Sequence, residues 1–262
     1  MGETNQRVFE RDATDYDSRE LQRPEQLLLG RLRGRWHEIS MLDIGIGSGR
    51  TTYTFAPLVR KYVGLDYVPR MVELARQAIG EDERTSLKVG DARRLTDVVD
   101  RTFELVLFSY NGIDYVGHED RLEVLRQVRR VLADDGWFCF STHSAAALPI
   151  EPPPFGMSAR RPVLSLYRAA RRLRERRLAR RSNAALDSSE LRAQGWTVFR
   201  DAAHGFDLST VYVTAEHQLR ELADAGFGEV EVYDLSGKRV EASRPGNDPW
   251  LYYLCRPLSV SS

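Results

Sequence analysis

The chain is poor in several residue types, and each shortage excludes something. Among 262 residues there are two cysteines, Cys139 and Cys255. Neither belongs to a metal-ligand spacing or a disulfide framework, and both lie in apolar, strand-like runs, so they read as buried free thiols. Lysine occurs only at Lys61, Lys88 and Lys238, which makes nearly all positive charge arginine. Neither sign is in excess: 38 basic residues face 38 acidic ones, and no overall charge draws the chain to nucleic acid or membrane. No apolar run approaches the ~18 residues of a membrane span. Met1 to Asp17 is polar and charged, without the apolar centre of a signal peptide. A soluble, cytoplasmic protein is the expectation; oligomeric state leaves no trace in the sequence.

What is present is a globular composition, 42% hydrophobic and 10% aromatic. Met41 to Gly45 is a short apolar strand, and Thr51 to Val59 has the pattern of a helix. Tyr62 to Asp66 is a second strand. After Pro69, the residues Met71, Leu74, Ala75, Ala78 and Ile79 share one helical face. Leu87 to Val89 and Leu105 to Phe108 are further strands, the latter continuously apolar as buried parallel strands are. Leu122, Leu125, Val128 and Val131 give the next helix its apolar side, and a turn at Asp134-Asp135-Gly136 leads into the strand Trp137 to Phe140. Strands alternating with helices predict a parallel sheet covered on both faces over residues 40 to about 142. Pro149 to Pro162 reads as loop and Val163 to Arg181 as an arginine-rich helix. Two strands are expected around a turn at His204-Gly205. Thr214 to Ala225 is helical, Gly226 stops it, and Glu229 to Tyr233 and Trp250 to Cys255 are closing strands.

The strongest signal is Asp43-Ile44-Gly45-Ile46-Gly47-Ser48-Gly49, which follows a strand and precedes a helix. Gly45, Gly47 and Gly49 let the backbone turn tightly and approach a ligand closely. Open α/β sheets bind nucleotides at such a turn after the first strand. Asp66 ends the second strand, where a carboxylate can accept from both hydroxyls of a ribose, with Tyr67 beside it. Asp91, followed by Ala92, ends the third, where it can accept from an adenine amino group. A single aspartate at a strand end is usually a turn former, but three at one sheet edge are hard to assign to capping. The dinucleotide fingerprint would need a further glycine three residues after Gly47, and that position is Arg50.

These segments, with Gly90-Asp91-Ala92 and Arg130 to Gly136, resemble the ordered motifs of class I S-adenosylmethionine (SAM)-dependent methyltransferases over residues 38 to 143. Asp134-Asp135-Gly136 departs from the usual Lys-Pro-Gly-Gly wording. The resemblance implies a Rossmann-like, seven-stranded, mostly parallel sheet with an antiparallel C-terminal hairpin. It also implies SAM as cofactor, with Asp43 to Gly49 at the methionine part, Asp66 at the ribose, and Asp91 with Ala92 at the adenine. The expected organisation is a helical N-terminal cap over 1–37, a SAM-binding core over 38–148, a helical and β substrate-side insertion over 149–213, and closing elements over 214–262. Tyr16 is a candidate to fold over SAM.

On the acceptor side, the segment after the fourth strand offers Tyr110, Asn111, Asp114 and Tyr115. It lacks the Asn/Asp-Pro-Pro-aromatic wording of amino-directed nucleic-acid methyltransferases, so nucleic acid is an unlikely acceptor. The wording resembles bacterial small-molecule methyltransferases. A hydroxyl acceptor needs a base, and His143, just past the fifth strand, is the candidate, oriented by Asp114 or Asp201; His204 is a further catalytic candidate. A divalent metal among Asp114, Asp201 and His204 stays open, and His37, His118 and His217 carry no assignment. The leading expectation is O-methylation of a small polar molecule such as a sugar. The rivals are methylation of a small amine, RNA methylation using the arginine-rich helix, and SAM binding without catalysis.

Overall fold

The computed structural model describes residues 2–13, 18–96, 98–148, 188–200 and 203–258, with Arg177 and Asn183. Tyr16, Asp201 and all but Arg177 of the arginine-rich segment lie outside the described residues.

Two helices, α1 (Gly2–Arg11) and α2 (Arg23–Arg31), precede the first strand. The core then alternates β1 (Ser40–Ile44), α3 (Thr52–Phe55), β2 (Lys61–Asp66), α4 (Pro69–Ile79), β3 (Thr85–Val89), β4 (Phe103–Phe108), α5 (His118–Val131) and β5 (Leu132–Ser144). After it come α6 (Ser188–Gln194), β6 (Trp196–Phe199), β7 (Thr210–Val213), α7 (Ala215–Asp224), β8 (Phe227–Tyr233), β9 (Arg239–Val240) and β10 (Trp250–Pro257). The main sheet runs β3-β2-β1-β4-β5-β10-β8-β9. β1 to β5 pair in parallel, whereas β10 is antiparallel to both β5 and β8. The seven strands up to β8 are the expected Rossmann-like sheet with its antiparallel closing hairpin. β9 extends its edge, and β7 attaches to the end of β5 with β6 alongside.

Strand alternation divides the core between two faces. Leu42, Ile44, Val63, Leu65, Val106 and Phe108 pack with Val124, Leu125, Val128 and Val131 of α5. Their neighbours Met41, Tyr62, Leu105 and Leu107 pack the other way, against Leu28, Phe55, Val72 and Ala75 of α2, α3 and α4. Cys139 and Cys255 are buried free thiols, as their apolar surroundings predict.

Two local expectations are corrected. The helix after the glycine turn is a single turn, Thr52–Phe55, because Ala56 to Val59 close in looser turns before β2. The Asp134-Asp135-Gly136 segment does not end before the fifth strand but lies within it. The pairing with β4 steps from Phe103–Leu132 to Leu105–Trp137, so the extra residues bulge out of register. Among the described residues, no helix is long and apolar enough to cross a membrane.

Candidate active site

Strand order reverses direction between β1 and β4, and a cleft of about 310 Å³ opens there at the carboxyl ends of the strands. Its floor is the turn Ile44 to Ser48, followed by Arg50 and Thr51. Gly45 (φ +68°) lies against Phe108, where a Cβ would come within 2.9 Å of the ring. Gly47 (φ +55°) is different: a Cβ there would meet nothing within 4 Å, because the position faces open space.

Asp66 and Asp91 both line this cleft, with Tyr67, Ala92 and Arg93. The Asp66 carboxylate accepts from the backbone N–H of Gly47 at 2.8 Å and of Val68 at 2.9 Å, which ties the end of β2 to the glycine turn. Burial raises its pKa to about 6, against those hydrogen bonds. Asp91 is held by Arg93, whose Nε and Nη2 donate at 2.9 and 2.6 Å. Burial opposes its charge, but the Arg93 contacts win and hold the carboxyl below its ordinary range. Asp43 does not line the cleft. It lies behind the turn, 1% exposed, and accepts from the Tyr62 hydroxyl at 2.6 Å. Burial pushes its pKa to about 7. Gly49 also faces away, packed on Ile79 and Ala75 of α4.

Several cleft residues carry no local sequence signal. Arg50 spans from the turn to Glu25 of α2, donating to both carboxylate oxygens at 2.7 and 2.6 Å, with Glu25 wholly buried. Ser109 and Tyr252 donate to the same carboxylate. A capping-box pattern at Gln22 and Glu25 marks the start of α2 but says nothing of the arginine it meets. Phe9 of α1 also lines the cleft and packs edge-on against Tyr67 and Tyr115.

The acceptor-side candidates converge beside this cleft. Tyr110 and Asn111 both take left-handed backbone (φ +57° and +61°), an uncommon arrangement for two successive non-glycine residues. Asn111 N–H donates to Ser141 Oγ at 2.8 Å, which fixes the loop to β5. Asp114, fully buried, accepts through Oδ2 from the His143 backbone N–H at 2.6 Å and lies 2.8 Å from His143 Nδ1. Its Oδ1 accepts from Thr142 Oγ1 at 2.6 Å and from the buried Arg121. His143 Nε2 lies 3.4 Å from Asn111 Nδ2. His143 is only 4% exposed and does not line the cleft directly. Its ring lies within 6.0 Å of those of Tyr115, Tyr212 and Trp250, and Tyr110 packs on Trp250. His204 belongs to a short turn over Ala203–Phe206; Asp201, outside the described residues, is not placed.

A glycine turn after β1, carboxylates ending β2 and β3, and a cleft at the strand-order reversal define an α/β fold whose cleft lies where open α/β sheets bind their ligands. Residues 41–136 match the family model described as a methyltransferase domain. The uncharacterized methyltransferase YcgJ of Bacillus subtilis (strain 168) is 32% identical over 115 residues, 43% of this chain and 44% of that protein. The match thus spans less than half of that relative. A SAM-dependent methyltransferase from Mesorhizobium loti superposes with a TM-score of 0.61 at 19% identity, covering 89% of this chain and 97% of that one. For the Burkholderia thailandensis 1,6-didemethyltoxoflavin-N1-methyltransferase the TM-score is 0.61 at 16% identity, over 98% and 88% of the two chains. The CcbJ methyltransferase of Streptomyces caelestis gives 0.58 at 17%, over 90% and 89%. Residues 41–136 are thus similar to a methyltransferase domain, and the fold is the one that these solved SAM-dependent methyltransferases share.

Proposed function

We propose that the chain transfers the methyl group of SAM to a hydroxyl oxygen of a small polar molecule, with His143 as the general base. The observation that carries this reading is the Asp114–His143 pair at 2.8 Å, set beside the cleft at the end of β5. When bound, SAM supplies an electrophilic methyl on a sulfonium, so the protein has only to hold the acceptor in line and manage its proton.

Each residue then has a part. Asp66 accepts from the ribose hydroxyls, Asp91 and Ala92 border the adenine, and the open backbone at Gly47 lets the methionine part lie close to the turn. Tyr110, Asn111 and Tyr115 hold the acceptor. With Nδ1–H donated to Asp114, Nε2 keeps its lone pair on the side of Asn111. Asn111 Oδ1 is buried with no hydrogen-bond partner among the described residues, so it is a ready acceptor for a substrate hydroxyl. For a hydroxyl seated on that amide to give up its proton to Nε2 as the oxygen attacks, Asn111 Nδ2, 3.4 Å from Nε2, has to yield its place. The Asp114 carboxylate, itself fixed by Arg121 and Thr142, balances the imidazolium that forms.

The first test is to incubate the protein with SAM labelled at the methyl group and a fractionated small-molecule extract. The expected product is a methyl ether. Label found only on nitrogen would replace the hydroxyl reading with an amine one. SAM binding without turnover on any fraction would favour a protein that binds SAM for another purpose.

A further inference from the structure

Away from the cleft, three side chains point their ligating atoms at one another. His118 opens α5, and His217 and Glu221 lie one turn apart on α7, on the same helical face. His118 Nε2 is 3.1 Å from His217 Nε2 and 3.3 Å from Glu221 Oε1, and His217 Nε2 is 3.6 Å from that same oxygen. The rings are 17% and 15% exposed, the carboxylate 3%.

Protons satisfy this group poorly. The other oxygen of Glu221, Oε2, accepts from the buried Arg121 at 3.2 Å. Oε1 is buried and makes no well-formed hydrogen bond, with the two imidazole nitrogens 3.3 and 3.6 Å away. If both rings carry their proton at Nε2, two N–H groups face each other at 3.1 Å. If only one does, its proton serves either the other nitrogen or Oε1 and leaves the remaining atom without one. A cation satisfies all three atoms together. The three separations place a point about 1.9 Å from each atom in their common plane. An ion lifted slightly out of that plane reaches the ~2.0–2.2 Å of zinc–nitrogen and zinc–oxygen bonds.

We propose that His118, His217 and Glu221 form a binding site for a divalent transition metal, zinc by ligand type, with solvent in the fourth position. Two imidazoles and a carboxylate suit zinc and its neighbours better than calcium or magnesium, which take mainly oxygen ligands. The surroundings fit a site that fastens elements together. Thr214 caps α7 through the His217 N–H at 3.2 Å, and Gly195 (φ +81°) leaves room for the His217 side chain. Trp196 of β6 stacks flat on His118, with ring centroids 3.8 Å apart. The exposed Arg220 approaches His217 Nδ1 only at 3.5 Å, and its long side chain can turn to solvent when the ring binds metal. The bound ion would clasp α5 to α7 beneath β6. This inference is independent of the acceptor chemistry above.

The test uses the full chain, stripped with a chelator and titrated with Zn²⁺ by calorimetry and with Co²⁺ by absorption and tryptophan fluorescence. The expected result is one saturable site per chain, a higher Tm with Zn²⁺, and quenching by Co²⁺ that disappears in Trp196→Phe. His118→Ala and His217→Ala should each weaken binding by at least the ~10–100-fold that loss of a supporting partner costs a metal site. Absence of saturable binding in the wild type would overturn the proposal. So would equal binding by the double histidine variant, or Co²⁺ quenching that is unchanged in Trp196→Phe. The wild-type and Trp196→Phe titrations decide the matter even where a histidine variant fails to fold.

Discussion

The two ends of the active-site region are made in different ways. The end proposed to hold the cofactor is built on local features: a glycine turn, the backbone N–H groups of Gly47 and Val68, and two carboxylates that end neighbouring strands, all within residues 43–92. The acceptor end is made of side chains, from the loop after β4 (Asn111, Asp114), from α5 (Arg121), and from β5, β7 and β10 (His143, Tyr212, Trp250). A backbone site depends on local conformation and is set once the strand and turn form. A side-chain site depends on the whole sheet closing, since Trp250 reaches His143 only through the antiparallel pairing of β10 with β5. The difference teaches where change is tolerated: on the proposed reading, substrate choice is open to change among the side chains near His143 without disturbing the glycine turn.

That division predicts effects that separate cleanly. His143→Ala should lower kcat by ~10²–10⁴-fold, the usual worth of a general base, and leave SAM affinity unchanged. Because His143 is buried, Tm is measured alongside kcat, and His143→Gln serves as the variant that best keeps the volume. A variant that turns over at the wild-type rate would make the Asp114–His143 pair architectural and would point to an acceptor that arrives without a proton to lose.

At the other end, Asp66→Ala should leave the acceptor machinery in place and weaken SAM. Losing paired acceptors for two hydroxyls costs ~1–3 kcal/mol, or roughly 5- to 150-fold in Kd by calorimetry. The same change frees the Gly47 N–H, so the turn should loosen and Tm fall slightly. If SAM affinity is untouched, the comparison breaks, because the carboxylate would then serve only to brace the turn.

This contrast also explains what was legible in the sequence. Asp43 to Gly49, Asp66 and Asp91 stand out because turn chemistry and strand ends are local features, visible within a few residues. Even so, locality marks position and not direction: Asp43 turns back to Tyr62 and Gly49 packs on α4, which no spacing reveals. Asp114 was recognisable from its place after β4 and His143 from its place at the end of the fifth strand, although His143 lies within β5 and not past it; their fixed pairing comes from the β4–β5 register. Glu25, Phe9, Tyr212 and Trp250 reach the site from distant parts of the chain, and the local patterns they belong to, such as the capping box at Glu25, do not point to it. His118 and His217 went unassigned for the same reason, since 99 positions separate them and only the packing of α7 beside α5 joins them.

The smallest expected effect is on SAM binding as a function of pH, and it tests the cofactor end alone. Burial raises the Asp66 carboxyl to about 6. A folded carboxyl pKa above the unfolded one means that the ionised form is penalised by folding. That penalty is absent at low pH and fully present above pH 6. A ligand whose hydroxyls need an ionised acceptor must favour the deprotonated form, so binding releases a proton below the pKa. SAM affinity should therefore be flat above neutrality, fall about twofold at pH 6 and about tenfold at pH 5. Asp43, raised to about 7, titrates in the same window, but it lies behind the turn and is bonded to Tyr62. Asp66→Asn separates the two, because an amide accepts weakly and does not titrate there. The variant should bind SAM less tightly at pH 8 and lose the slope between pH 7 and pH 5. A slope that persists in Asp66→Asn would assign the proton to Asp43 and make the turn itself, through Tyr62, the pH-sensitive part of the cofactor site.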